Sequence, residues 1–70
     1  SEEYKLVKAA DRLSAYVKCL EELRAGNGEF EKAKKSIEED LRARKIPEVE
    51  YFFKHFIPSF SLTLDELEGL

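Results

Sequence analysis

Seventy residues make at most one small domain, and a single core at this size is marginal unless disulfides, a metal or association with another chain adds stability. Twelve basic residues against 15 acidic ones give a formal net charge of −3 with no basic tract, which argues against binding a nucleic-acid polymer. No apolar run approaches the ~20 residues that span a bilayer, and the single cysteine, Cys19, rules out an internal disulfide.

The start SEEYK has no basic region leading into an apolar stretch, so it does not read as a secretion signal. Cys19 inside an apolar pattern suits a buried thiol in a reducing compartment, and the expected location is the cytoplasm. The chain opens without Met and enters a helical pattern within a few residues. That is expected of a chain cut from something longer, and equally of a trimmed start.

The first helix is expected over 1–25. Ser1 can cap its free amides, Glu2 and Glu3 face the positive end of its dipole, and Gly26-Asn27-Gly28 closes it and turns the chain. Leu6, Ala10, Leu13, Val17 and Leu20 recur at helical spacing on one side. Tyr4, Val7 and Ala15 lie on a second side, and Ala9, Tyr16 and Leu23 on a third. A helix apolar nearly all round is normally central in its protein. Asp11 falls in the middle of the second set, one turn from both Val7 and Ala15, where a carboxylate is expensive unless a cation or hydrogen-bond donors meet it.

A second helix is expected over 29–44, with Phe30, Ala33, Ile37 and Leu41 in one narrow stripe that marks it as peripheral. Glu31 with Lys35, Glu38 with Arg42 and Asp40 with Arg44 stand four apart in the favourable order, each pair contributing ~0.3 kcal/mol. Pro47 suits the first turn of a third helix, 47–56, whose apolar side carries Val49, Phe52, Phe53, Phe56 and Ile57. Pro58 is expected to end that helix by disfavouring a helical Ile57. Residues 59–62 then read as extended, anchored by Phe60 and Leu62, before a short helical turn over 64–67 with Thr63 and Glu66 at capping-box spacing. The fold class is all-α: three main helices plus a short C-terminal turn, with no strand required.

There is no glycine-rich phosphate loop, no cysteine pair for zinc and no HExxH. Cys19 has no histidine nearby, so a nucleophilic role is not expected. His55, between Lys54 and Phe56, has no second His, Cys or acid at metal-ligand spacing and reads as a surface histidine. Asp11 is left as the one residue whose place asks for an explanation. It pairs on the surface with Lys8 or Lys18, or it is a ligand to a divalent cation.

Three blocks, LVKAADRLSAYVKCLEEL, GNGEF and YFFKHFIPSFSLTLDEL, in this order and spacing, resemble the C-terminal part of bacterial HD-domain 5′-deoxynucleotidases. The resemblance covers essentially all 70 residues. It implies an all-helical domain and a metal-dependent phosphohydrolase acting on deoxyribonucleoside 5′-monophosphates. In such enzymes a divalent cation such as Co, Mn or Mg is held by a histidine, an adjacent His-Asp pair and a distant aspartate on a later helix. Asp11, in LVKAAD, matches that last aspartate and would be a ligand rather than the general acid or base.

The helices carrying the remaining ligands and the substrate contacts have no counterpart here, and the block around His55 matches no ligand motif of the family. By resemblance the chain is the C-terminal portion of one HD domain, inactive alone, and the intact enzyme is a homodimer. The alternative is a small self-associating helical interaction module with no catalytic role. Either way association is expected, because the first and third helices offer more apolar surface than one narrow second helix covers.

Overall fold

The computed structural model describes residues 1–68, and these are all-α with no strand among them. Helix α1 spans Glu2–Arg24. The Ser1 hydroxyl accepts from the Tyr4 amide at 3.2 Å, satisfying one of the orphan donors of its first turn. At its end the Gly26 amide donates to Leu23 O at 3.1 Å and the Asn27 amide to Glu22 O at 3.0 Å, the paired bonds of a Schellman cap. That cap needs a left-handed residue, which Gly26 supplies at φ 96°.

Helix α2 spans Phe30–Ala43 and runs back along α1. It closes through Lys45 at φ 52°, a left-handed angle that costs a side-chain-bearing residue about 1 kcal/mol. Ile46 is extended (φ −94°, ψ 121°), as the residue before a proline should be, and Pro47 opens α3, Pro47–Tyr51.

The chain does not stop at Pro58. From α3 it passes without a break into a π turn, Phe52–Phe56, and then into α4, Ile57–Glu68. The expected stop at Ile57, the extended segment 59–62 and the separate turn at 64–67 are therefore replaced by one continuous helical rod. The π turn supplies the reason. There the Ile57 amide reaches back to Phe52 O, which widens the turn just before the proline and relieves the clash of its ring with the preceding carbonyls. Pro58 then lies inside this rod, where its missing amide withdraws one helical hydrogen bond from the widened turn before it. The Thr63 hydroxyl does not cap a helix; it donates to Ser59 O at 3.1 Å inside α4. Phe60 is half-buried, as an anchor would be, whereas Leu62 is exposed.

The core is small: Ala9, Tyr16 and Cys19 from α1, Ile37 and Leu41 from α2, Val49 from α3 and Phe53 from the π turn. Leu13, Ala15, Leu20, Phe30, Ile46 and Ile57 pack around it. Of the three apolar sides of α1, the one with Ala9 and Tyr16 turns inward; Leu6 and Ala10 of the longest set are exposed. Only part of the α2 stripe is inside, with Ile37 and Leu41 buried and Ala33 exposed. Two of the three expected α2 ion pairs form, Glu38 with Arg42 at 3.1 Å and Asp40 with Arg44 at 3.2 Å, while none joins Glu31 to Lys35.

Much apolar surface stays open. Tyr4, Leu6, Val7, Tyr51, Phe56, Leu62 and Leu67 are all exposed. The accessible surface is 5184 Å2, against roughly 4,500 Å2 for a compact monomer of this mass. The radius of gyration, 12.9 Å, exceeds the roughly 11 Å of a compact 70-residue domain.

Two outcomes test this core. Leu41 is wholly buried (0% exposed), so Leu41→Ala leaves a cavity and should cost about 2–5 kcal/mol in urea unfolding, enough to unfold a domain this small. The Tyr16 hydroxyl is pushed up to about 12, first by burial and then by the Glu38 carboxylate beside it. Its stabilising contribution is complete below pH ~10, where the tyrosine is protonated in both folded and unfolded chains. Above that the unfolded chain ionises first, so this contribution is lost as pH rises toward the folded value. Phenolate absorbance should show one of the three tyrosines ionising late, with unfolding in the same window.

Candidate functional site

Burial of Ala9 and Tyr16 turns Asp11 outward on α1. Its carboxylate is exposed, Val7 one turn before it is 68% exposed, and Ala15 one turn after it packs against the rim of the core. Among the described residues Asp11 makes no ion pair or hydrogen bond. The surface pairing with Lys8 or Lys18 therefore does not form, because each long side chain has open solvent to move into and gains little from an exposed pair. Among the described residues the acid thus stands unpaired, beside the exposed Tyr4 and Val7 on that side of the helix.

Three residues beyond Asp11, Ser14 lines an open groove with Ala10, Leu13 and Val17 of α1 and Phe52 and Phe56 of the π turn. The groove holds about 450 Å3. Phe52 stacks on Phe56 at 4.6 Å between centroids, and Phe56 on Phe60 at 5.8 Å, so an aromatic ladder forms one wall. Leu13, Val17 and Phe52 are half-buried and Leu6 and Phe56 exposed, so none of these five apolar residues is fully inside.

The other candidates stay ordinary. His55 is exposed and rests its ring on Tyr51 at 4.3 Å, the surface histidine that its sequence neighbours suggested. Cys19 is buried as a free thiol.

The charged contacts that the sequence did not announce run between helices. Tyr16 donates to Glu38 Oε1 at 3.1 Å, and Arg42 binds Glu38 Oε2 at 3.1 Å and Glu50 Oε2 at 3.2 Å while lying over the Phe53 ring at 4.4 Å. Asp40 Oδ2 stands between Arg44 at 3.2 Å and Arg12 at 3.5 Å. Arg12 thus points to α2 while its neighbour Asp11 points away, and this pair helps hold the rotation of α1. Arg24 pairs with Asp65 and ties α4 to the end of α1.

The donor chemistry at Asp11 fits a divalent cation as one ligand of several. A carboxylate is a hard anionic oxygen donor, and this one has no protein partner to displace. Among the described residues no group of three or more His, Cys, Asp or Glu converges to complete such a site.

A family model described as 5′-deoxynucleotidase YfbR-like matches residues 1–60. Curated relatives named 5′-deoxynucleotidase include those of Photobacterium profundum and Vibrio atlanticus, each 58% identical over 66 residues, and of Yersinia pestis, 59% identical over 66 residues. Each of these alignments covers 94% of this chain and 34% of the relative, so the chain spans about a third of the length of the relatives it matches. No solved structure gives a significant match. With the family match extending over all but the last ten residues, the chain belongs to the YfbR-like 5′-deoxynucleotidase family.

Proposed function

We propose that this chain is the C-terminal part of an HD-domain 5′-deoxynucleotidase, a metal-dependent phosphohydrolase that releases phosphate from deoxyribonucleoside 5′-monophosphates. Asp11 is one of its metal ligands. Family membership and the names of the relatives support the reaction class. The observation that carries the assignment of Asp11 is its exposure, unpaired among the described residues, beside the exposed Tyr4 and Val7 of α1.

Tyr4 and Val7, on the same side of α1 as Asp11, are exposed, as expected of a helix lifted out of a larger fold whose other elements would cover its apolar residues and share its ligand. Extra surface, a large radius of gyration and relatives three times as long all support that reading.

In the intact enzyme the rigid α1–α2 packing fixes the position of the Asp11 carboxylate, and the Arg12–Asp40 pair resists rotation of α1 about its own axis. Asp11 supplies a hard oxygen and a negative charge that partly neutralises the cation. A divalent cation bound there supplies Lewis-acid polarisation of the phosphate and activation of water for attack on phosphorus. Because Asp11 makes no hydrogen bond or ion pair among the described residues, its role is separable from stability. On this reading the 70-residue chain alone is inactive, and the intact protein is a cytoplasmic homodimer.

The test uses the intact enzyme with added divalent metal. Asp11→Ala should reduce phosphate release from deoxyribonucleoside 5′-monophosphates by more than about 100-fold, beyond the loss usual for outer-shell partners, with unchanged helical circular dichroism. Full activity in this variant would overturn the assignment. An intact parent without phosphatase activity, together with a well-folded, self-associating 70-residue chain, would instead favour the interaction module.

A further inference from the structure

Between α1 and α2 the chain places Asn27 directly before Gly28, outside both helices. We propose that Asn27-Gly28 is a self-modification site, at which Asn27 converts to aspartate or isoaspartate and the α1–α2 turn loosens as a result.

The chemistry needs only the groups present and water. The backbone nitrogen of Gly28 attacks Cγ of Asn27, forming a new N–C bond and closing a five-membered succinimide. The Cγ–Nδ2 bond breaks, and the side-chain nitrogen leaves as ammonia, carrying the proton lost from the Gly28 amide. Water then adds across one of the two imide C–N bonds. One opening yields aspartate; the other yields isoaspartate, in which the main chain runs through the former side-chain carbonyl.

Three observations favour this site. The Gly28 amide takes no part in a helical ladder; it donates to Gly26 O, two residues back, at 3.1 Å, a short-span bond that is easily given up. Gly28 is exposed and carries no side chain to hinder the attack. The turn does not require glycine at this position. Gly28 lies outside the left-handed region that Gly26 occupies, and a Cβ built on it would meet nothing within 4 Å. An alanine there therefore slows the ring closure without straining the fold.

The consequence follows from what Asn27 holds. Its backbone amide donates to Glu22 O at 3.0 Å, its side-chain Nδ2 donates to the Glu22 carboxylate, and its carbonyl accepts from the Phe30 amide at 3.2 Å. Converting the side chain to a carboxylate removes the donor and sets two negative charges face to face. The isoaspartate product also inserts an extra backbone carbon between the Schellman cap and the first turn of α2. Both products weaken the hairpin on which the core is assembled.

The experiment incubates the intact protein that contains this segment in mildly alkaline buffer at body temperature and follows the peptide containing Asn27 by mass spectrometry and isoaspartate assay. The peptide should become heavier by one mass unit and split into two products. Gly28→Ala should slow this severalfold at unchanged helix content. Asn27→Asp should lower the melting temperature by several degrees, and adding Glu22→Gln should recover most of that loss. No mass gain at Asn27, or gain at the same rate in Gly28→Ala, overturns the site. An unchanged melting temperature in Asn27→Asp overturns its effect on the turn.

Discussion

Everything in this small fold hangs on the side chain of Tyr16. Its ring meets Phe53 edge to face at 5.0 Å and 89°, a pairing that adds about 0.5–1.5 kcal/mol beyond the burial of both rings. Its hydroxyl donates to Glu38, and Arg42 grips the other oxygen of that carboxylate while covering the outer face of Phe53. One residue of α1 thereby holds α2 and the π turn together. The contact thus joins α1, α2 and the π turn through both apolar and polar groups. The hydroxyl is satisfied where it is buried, so the network stabilises rather than penalises the core.

The same contact sets the site. Once Tyr16 and Ala9 face inward, Asp11, two residues from one and five from the other, is carried to the far side at about 100° per residue. Asp40 then draws Arg12 toward α2, and the acid is left without a partner. What the fold positions is a single carboxylate on a stiff helix, next to a groove walled by stacked phenylalanines. The chain carrying this helix belongs to the YfbR-like 5′-deoxynucleotidase family and spans about a third of the length of the relatives it matches.

The readings that held and those that failed divide by the distance over which they act. Ser1 as cap, Gly26 as the left-handed closing residue and Pro47 as an opening residue all depend on hydrogen bonds a few residues long, and they were legible. Pro58 was not. Its effect on Ile57 was read in isolation, whereas Phe52–Phe56 adopts a π turn that absorbs the ring and lets the helix continue. Nor could the partners of Arg12, Arg24 and Glu50 be read, since they lie on other helices. Asp11 stood out as an acid among apolar positions, and the metal-ligand role proposed for it rests on the LVKAAD block, since helical spacing alone suggests none.

By itself the sequence determined the all-helical class, the two turns, the outlying acid and, through its three blocks, the family. These follow from capping bonds, from helical periodicity and from residue identity, each of which is local to the chain. Tertiary structure alone decided which of the three apolar sides of α1 is buried, whether the chain runs straight through Pro58, and which charges meet across helices. Several sides of α1 are apolar, so periodicity leaves its rotation open. The shapes of Leu41, Val49 and Phe53 closing on Tyr16 select one, and that selection turns Asp11 outward.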